Sequence, residues 1–128
     1  LTTDMYYKTL VPAVNSDNND SAQTTVLPPL TQVPLASFVP WNLRAVRTGA
    51  ENSLARLSGA YIPLPSSMAA AKQASDPRTP IAELYSSFDD YLGLYESATD
   101  TLISEGYLLP GFKQIYMDIA RSNGVVFD

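Results

Sequence analysis

Neither cysteine nor histidine occurs anywhere in the 128 residues. The first absence excludes disulfides, thiolate catalysis and sulfur-ligated metal. The second excludes more, because no imidazole is present to take a proton from serine or to ligate zinc. A hydrolase that depends on histidine is therefore incomplete within these residues. The six glycines never cluster, so no phosphate-cradling loop is expected. Long apolar runs are missing as well. The longest uncharged stretch, Ser21 to Leu43, is broken by Pro28, Pro29, Pro34 and Pro40 and carries Gln, Thr and Ser, so no membrane span is expected. The opening "LTTDMYYKTL" has no basic start and no apolar core, and no signal peptide is expected there.

What is present fits a single segment, 1–128, able to bury a core: 45% of the residues are hydrophobic. The net charge of −5 is unevenly placed. Residues 1–57 balance Asp4, Asp17, Asp20 and Glu51 against Lys8, Arg44, Arg47 and Arg56, so the remainder carries the whole deficit. Between Phe88 and Glu105 stand five carboxylates and no cation. Such a stretch repels polyanions, and neither nucleic acid nor an anionic lipid surface is an expected partner.

Residues 1–65 read as extended, with short strands and loops. "MYYKTLVPAV" (Met5 to Val14), "VPLASFVPWNL" (Val33 to Leu43) and "GAYIPLP" (Gly59 to Pro65) are apolar strands that proline confines to edges or ends. "NSDNND" is a dense turn, and Pro28-Pro29 favours polyproline geometry. Residues 66–128 read as helical. Ser66-Ser67 can cap "MAAAKQA", which Asp76-Pro77 stops; Thr79-Pro80 opens a short helix, "PIAELY". Ser86 and Ser87, with Asp89 and Asp90 three places on, offer two overlapping caps. The following helix carries Phe88, Tyr91, Leu92, Tyr95, Ala98, Leu102 and Ile103 on one stripe, and Gly106 closes it. A last helix sets Phe112, Ile115, Tyr116, Ile119 and Ala120 on one face, ending at Asn123-Gly124. The expected class is α+β, an extended proline-rich half followed by a helical half.

The charged and turn-forming residues of "SDPRTPIAELYSSFDDYL" fall where helix ends need stops, caps and negative charge near the positive dipole end. A solvated face accounts for Asp89, Glu96 and Asp100 better than a cation site does. "NSDNND" lacks the sixth-place glycine and late glutamate of a calcium loop. Carboxylate pairs drawn from Asp76, Glu83, Asp89 and Asp90 lack partners that would raise one pKa. Neither Ser58 nor Ser122 stands in a G-x-S-x-G turn. Trp41 and Arg44 are spaced for a cation–π contact, more often a packed anchor than a binding groove.

Five stretches, in order along nearly the whole chain, carry a resemblance. "YKTLVPAVNSDNND" resembles "LVPAVDADGNE" and "VPLASFVPWNLR" resembles "VPLATYTGWNLR", segments of the bacterial alpha/beta hydrolase domain family. "LSGAYIPL", "SDPRTPIAELY" and "LISEGYLLP" resemble its "LAGSYIPF", "GDPRPSIEERY" and "LVAEGYLLP". Asn18 and Pro40 stand where the family has glycine, and Leu84 where it has arginine. The resemblance implies a serine-hydrolase-like parent with a G-x-S-x-G-like nucleophile turn and a partner histidine. Neither is present here, so no catalytic, cofactor-binding or metal residue carries over. Trp41, Arg44 and Tyr85 lie in matching motifs and are the candidate substrate or interface contacts. The expectation is a non-catalytic C-terminal fragment or subunit of a secreted or periplasmic esterase-like hydrolase, part of a larger α/β-hydrolase-type structure. Its partner is the remainder of the parent, and its role is to cover the catalytic sheet or shape substrate access. The competing expectation is a self-contained acidic interaction module; a small carboxylate-driven enzyme ranks third.

Overall fold

The structure is a computed structural model that describes residues 26–40, 42–51, 53–55 and 59–127. The expected strand Met5 to Val14 and the turn "NSDNND" lie outside the described residues, as does Trp41. The architecture is α+β: short antiparallel strand pairs followed by packed helices. Its first element departs from the expected polyproline run. Pro28 has polyproline geometry (φ −64°, ψ 155°), but Pro29 starts a helical turn, α1 (Pro29–Gln32). Proline is favoured there because its fixed φ suits the first helical position, where no amide bond is needed.

The strands obey their prolines. β1 (Ala36–Val39) is flanked by Pro34 and Pro40, and its partner β4 (Ala60–Pro63) ends on a proline, so no ladder donor is lost mid-strand. A second small pair intervenes in sequence: β2 (Asn42–Leu43) with β3 (Leu54–Ala55). In the β1–β4 register, Ala36 faces Pro63 and Val39 faces Ala60. The Leu64 amide continues the ladder to the Leu35 carbonyl at 2.9 Å. Gly59 is required just before β4, since a Cβ there would stand 2.8 Å from the Val39 carbonyl oxygen.

The helices follow: α2 (Met68–Ala74), α3 (Ile81–Leu84), α4 (Phe88–Ser104) and α5 (Lys113–Ser122). Ser67 caps α2 by accepting the Ala70 amide. The expected stop at Asp76-Pro77 comes one residue sooner. Ser75 adopts a left-handed conformation (φ 53°), which turns the Asp76 amide back to the Ala71 carbonyl at 2.9 Å. The start of α3 is also displaced: Pro80, not Thr79, is the flanking residue, with no side-chain cap. None is needed, because the Ile81 and Ala82 amides donate to the carbonyls of Pro65 and Ser66.

At α4 one of the two overlapping caps is used. Ser87 accepts the Asp90 amide, and Asp90 reaches back to the amide and hydroxyl of Ser86 at 2.8 Å each. Tyr91, Tyr95, Ala98 and Leu102 form the buried stripe, with Thr99 buried beside it and bonded to the Tyr95 carbonyl. Gly106 (φ 80°) ends the helix in a Schellman motif: the Tyr107 amide meets the Leu102 carbonyl and the Gly106 amide that of Ile103.

In α5 the expected apolar face is only half right. Tyr116, Met117 and Ala120 turn inward, whereas Phe112, Ile115 and Ile119 stay 47%, 53% and 45% exposed. The helix is rotated by roughly a quarter turn from the centre of its apolar residues, counting 3.6 residues per turn. On the inward side Lys113 places its ammonium 2.9 Å from Glu96 and 2.7 Å from Asp100 on α4. Met117 and Ala120, one and two turns on, must share that side. The core joins these helices to the strand region through Val33, Leu35, Leu64, Ile81 and the tyrosines.

Candidate functional site

Three groups of residues are the candidates, and the most tightly built is centred on Arg78. Its backbone amide and Nε donate to Asp76 Oδ1 at 3.0 and 2.9 Å, a turn that the intervening Pro77 helps to hold. Nη1 donates to Ser37 Oγ and the Ile62 carbonyl, and Nη2 to the Pro63 carbonyl and Asp76. All five guanidinium donors thus have acceptors. The arrangement braces both strands of β1–β4 against the α2–α3 connection and leaves no donor for a carboxylate or phosphate. Hydrogen bonding from Arg78 holds the Asp76 carboxyl below its ordinary value, against a smaller opposing effect of burial. A depressed carboxylate is a poor proton acceptor.

Tyr85 is the second. It is buried, and its hydroxyl donates to the Pro34 carbonyl at 2.8 Å. Its ring stands edge-on to Tyr91 at 5.3 Å. Two clefts meet at this residue. One, of about 350 Å³, runs between Gln32–Pro34 and the α4 residues Leu94, Ser97, Ala98 and Thr101. The other, of about 420 Å³, is rimmed by Ser66, Ser67, Ser86 and Ser87, with Phe88 and Phe127 in its wall. Three of the four serines of that rim are spent on helix ends: Ser86 donates to Asp90, while Ser67 and Ser87 accept backbone amides. The Ser86–Asp90 contact belongs to the start of α4, and the Ser86 amide and hydroxyl hold the Asp90 carboxyl below its ordinary value.

The third is the arm formed by β2, β3 and the loop between them. Arg44 lies here, exposed, with its amide bonded to the Ser53 carbonyl. Leu43, Leu54 and Val46 are exposed on the same arm, Val46 by 78%. The structure therefore separates two of the sequence candidates: Arg44 on the exposed arm and Tyr85 in the interior.

The acidic helix changes character in three dimensions. Lys113 bridges Glu96 and Asp100, and its ammonium is held above its ordinary value by the hydrogen bonds it donates to Asp100 first, then to Glu96. Asp90 is occupied by the cap. The stretch lacks a cation in sequence only. Among the described residues no group of three acidic side chains is placed to hold a metal ion. Sequence reasoning missed Arg78 and Lys113 as organisers. The Asp-Pro-Arg spacing was the available signal for the first; nothing local signals the second, whose partners lie 13 and 17 residues away in sequence.

The described residues form an α+β arrangement with hydrogen-bonded polar clusters and exposed apolar side chains. The sequence matches the alpha/beta hydrolase domain family over residues 3–117, and the chain belongs to that family. No curated protein and no solved structure matches it. No described helix is long and apolar enough to cross a membrane.

Proposed function

We propose that this chain is a non-catalytic C-terminal portion of an esterase-like serine hydrolase and covers the catalytic sheet or shapes the substrate entrance. The parent's reaction would be ester hydrolysis through an acyl-serine, with nucleophile, histidine and oxyanion donors supplied outside these residues. One observation carries the reading: a member of a hydrolase family, matched over 3–117, contains no histidine at all. The uncovered apolar residues support it. Phe112, Ile115 and Ile119 on α5, and Leu43, Val46 and Leu54 on the arm, are surfaces of the kind that a larger protein buries. Trp41, Arg44 and Tyr85 remain the proposed contacts with substrate or with the parent; the exposure of Arg44 supports the latter for that residue. The pairing of Lys113 with Glu96 and Asp100 sets a cation against the acidic face, which weighs against an acidic interaction module.

The test is enzymatic. The purified chain is expected to show no turnover of short p-nitrophenyl esters, and turnover abolished by a serine-directed phosphonate would overturn the proposal. Peptide mapping of the natural product supplies the second arm. Peptides of this chain should co-migrate with ones carrying a serine elbow and a histidine, and a product of these residues alone would refute the reading.

A further inference from the structure

We propose that residues 124–127 form a displaceable strap whose Phe127 ring fills a ring-binding pocket, and that a small apolar aromatic molecule takes its place there. The proposal does not rest on the hydrolase reading. The pocket is built by three side chains from α4 and the turn before it. Phe127 lies 5.3 Å from Phe88, 5.3 Å from Tyr91 and 6.1 Å from Tyr85, each in a tilted arrangement. Those distances and tilts are the ones aromatic rings favour over a face-to-face sandwich. The chain thus shows by its own side chain what the pocket accepts.

The strap is held almost solely by that ring. Residues Gly124–Val126 form a single 3-10 turn whose backbone bonds are all local: Val126 to Asn123 and Phe127 to Gly124. Among the described residues no backbone hydrogen bond ties it to another element. Its other anchors are the Asn123 amide on the Tyr91 hydroxyl at 3.2 Å and the fit of Gly124 against Phe88, where an added Cβ would come within 3.4 Å. Val125 is 76% exposed. Segments with few buried contacts and no ladder bonds open at low free-energy cost. Val126 and Phe127 also line the 420 Å³ cleft, so lifting the strap joins the aromatic pit to that space. The enlarged site has an aromatic floor and Ser66 on its rim, which suits a phenyl group carrying a small polar substituent.

Benzyl alcohol is a suitable probe and cyclohexylmethanol, of similar size but saturated, its control. In the wild-type chain, benzyl alcohol should shift the ring resonances of Phe88 and Tyr91 and abolish the nuclear Overhauser contact between Phe127 and Tyr91; the control should do neither. Removing the internal competitor should tighten the site, so Phe127→Ala is expected to bind benzyl alcohol about tenfold more tightly than wild type. Phe127→Leu, which refills most of the volume, should bind weakly again. Retention of the Phe127–Tyr91 contact at probe saturation would overturn the proposal. So would a folded Phe127→Ala without tighter binding, or its failure to fold, since a strap whose ring is needed for folding is not displaceable.

Discussion

Arg78 shows what one side chain decides. Its guanidinium connects two strands and a helix connection that are separated by up to 41 positions, and it does so while both it and Asp76 are largely removed from solvent. Arg78→Ala is expected to destabilise by about 1.5–3 kcal/mol, the range for lost hydrogen bonds to charged groups, as read from urea unfolding. The pH dependence follows from the depressed Asp76 carboxyl. Its folded pKa lies below the ordinary 3.8, so its stabilisation is fully present above that value and is lost as pH falls through the folded one. Asp76→Asn should therefore lower Tm at pH 6 and lose that difference progressively as the pH is taken below 4. Tyr95 makes the opposite case. It is 1% exposed, burial pushes its phenol up to about 12, and among the described residues no hydrogen bond reaches its hydroxyl. Tyr95→Phe should be neutral or stabilising, within about 1 kcal/mol, because it removes a buried polar atom without removing a partner. Tyr91→Phe, which breaks the bond from Asn123, should be the less stable of the two.

Elements end where local chemistry tells them to, with one-residue adjustments from tertiary bonds. Gly106 is the clearest stop. Its φ of 80° is open to glycine, and nothing lies within 4 Å of where a Cβ would sit. Gly106→Ala should destabilise by about 1–2 kcal/mol through backbone strain alone, with α4 otherwise intact by circular dichroism. Ser75 adopts a similar conformation without glycine, and no sequence rule marks it. Pro80 takes the flanking role expected of Thr79 because carbonyls of Pro65 and Ser66 stand in for a cap. Such substitutions are invisible locally, since the acceptors belong to a segment fifteen or more residues upstream.

At the scale of the whole molecule, the described residues expose apolar surface on the β1–β4 pair and beside α5 as well as on the arm. On the β1–β4 pair, Phe38 and Tyr61 face each other across the strands at 5.3 Å with both rings well exposed. On α5 and the residue before it, Phe112, Ile115 and Ile119 form an exposed stripe. If that stripe contributes nothing to the fold of the chain itself, Ile115→Asp with Ile119→Asp should change unfolding free energy by less than about 0.5 kcal/mol. The same change should reduce binding of the dye ANS and any self-association seen by sedimentation. A large loss of stability would show instead that the stripe is part of the core.

Composition and short-range pattern alone determined the class of the fold, the proline-bounded strands, the long α4 with its Ser87 cap and Gly106 stop, and the exclusion of histidine-dependent chemistry. These depend on backbone sterics, on residue spacing within a turn or two, and on which functional groups exist at all. Tertiary structure decided which part of the α5 stripe is buried, that Lys113 sets a cation against Glu96 and Asp100 of the acidic helix, that Arg78 organises the strands, and that Tyr85 is interior while Arg44 is not. The physical reason is range: each of those outcomes turns on a partner brought near by folding, and a linear pattern records what a side chain can do but not what it meets.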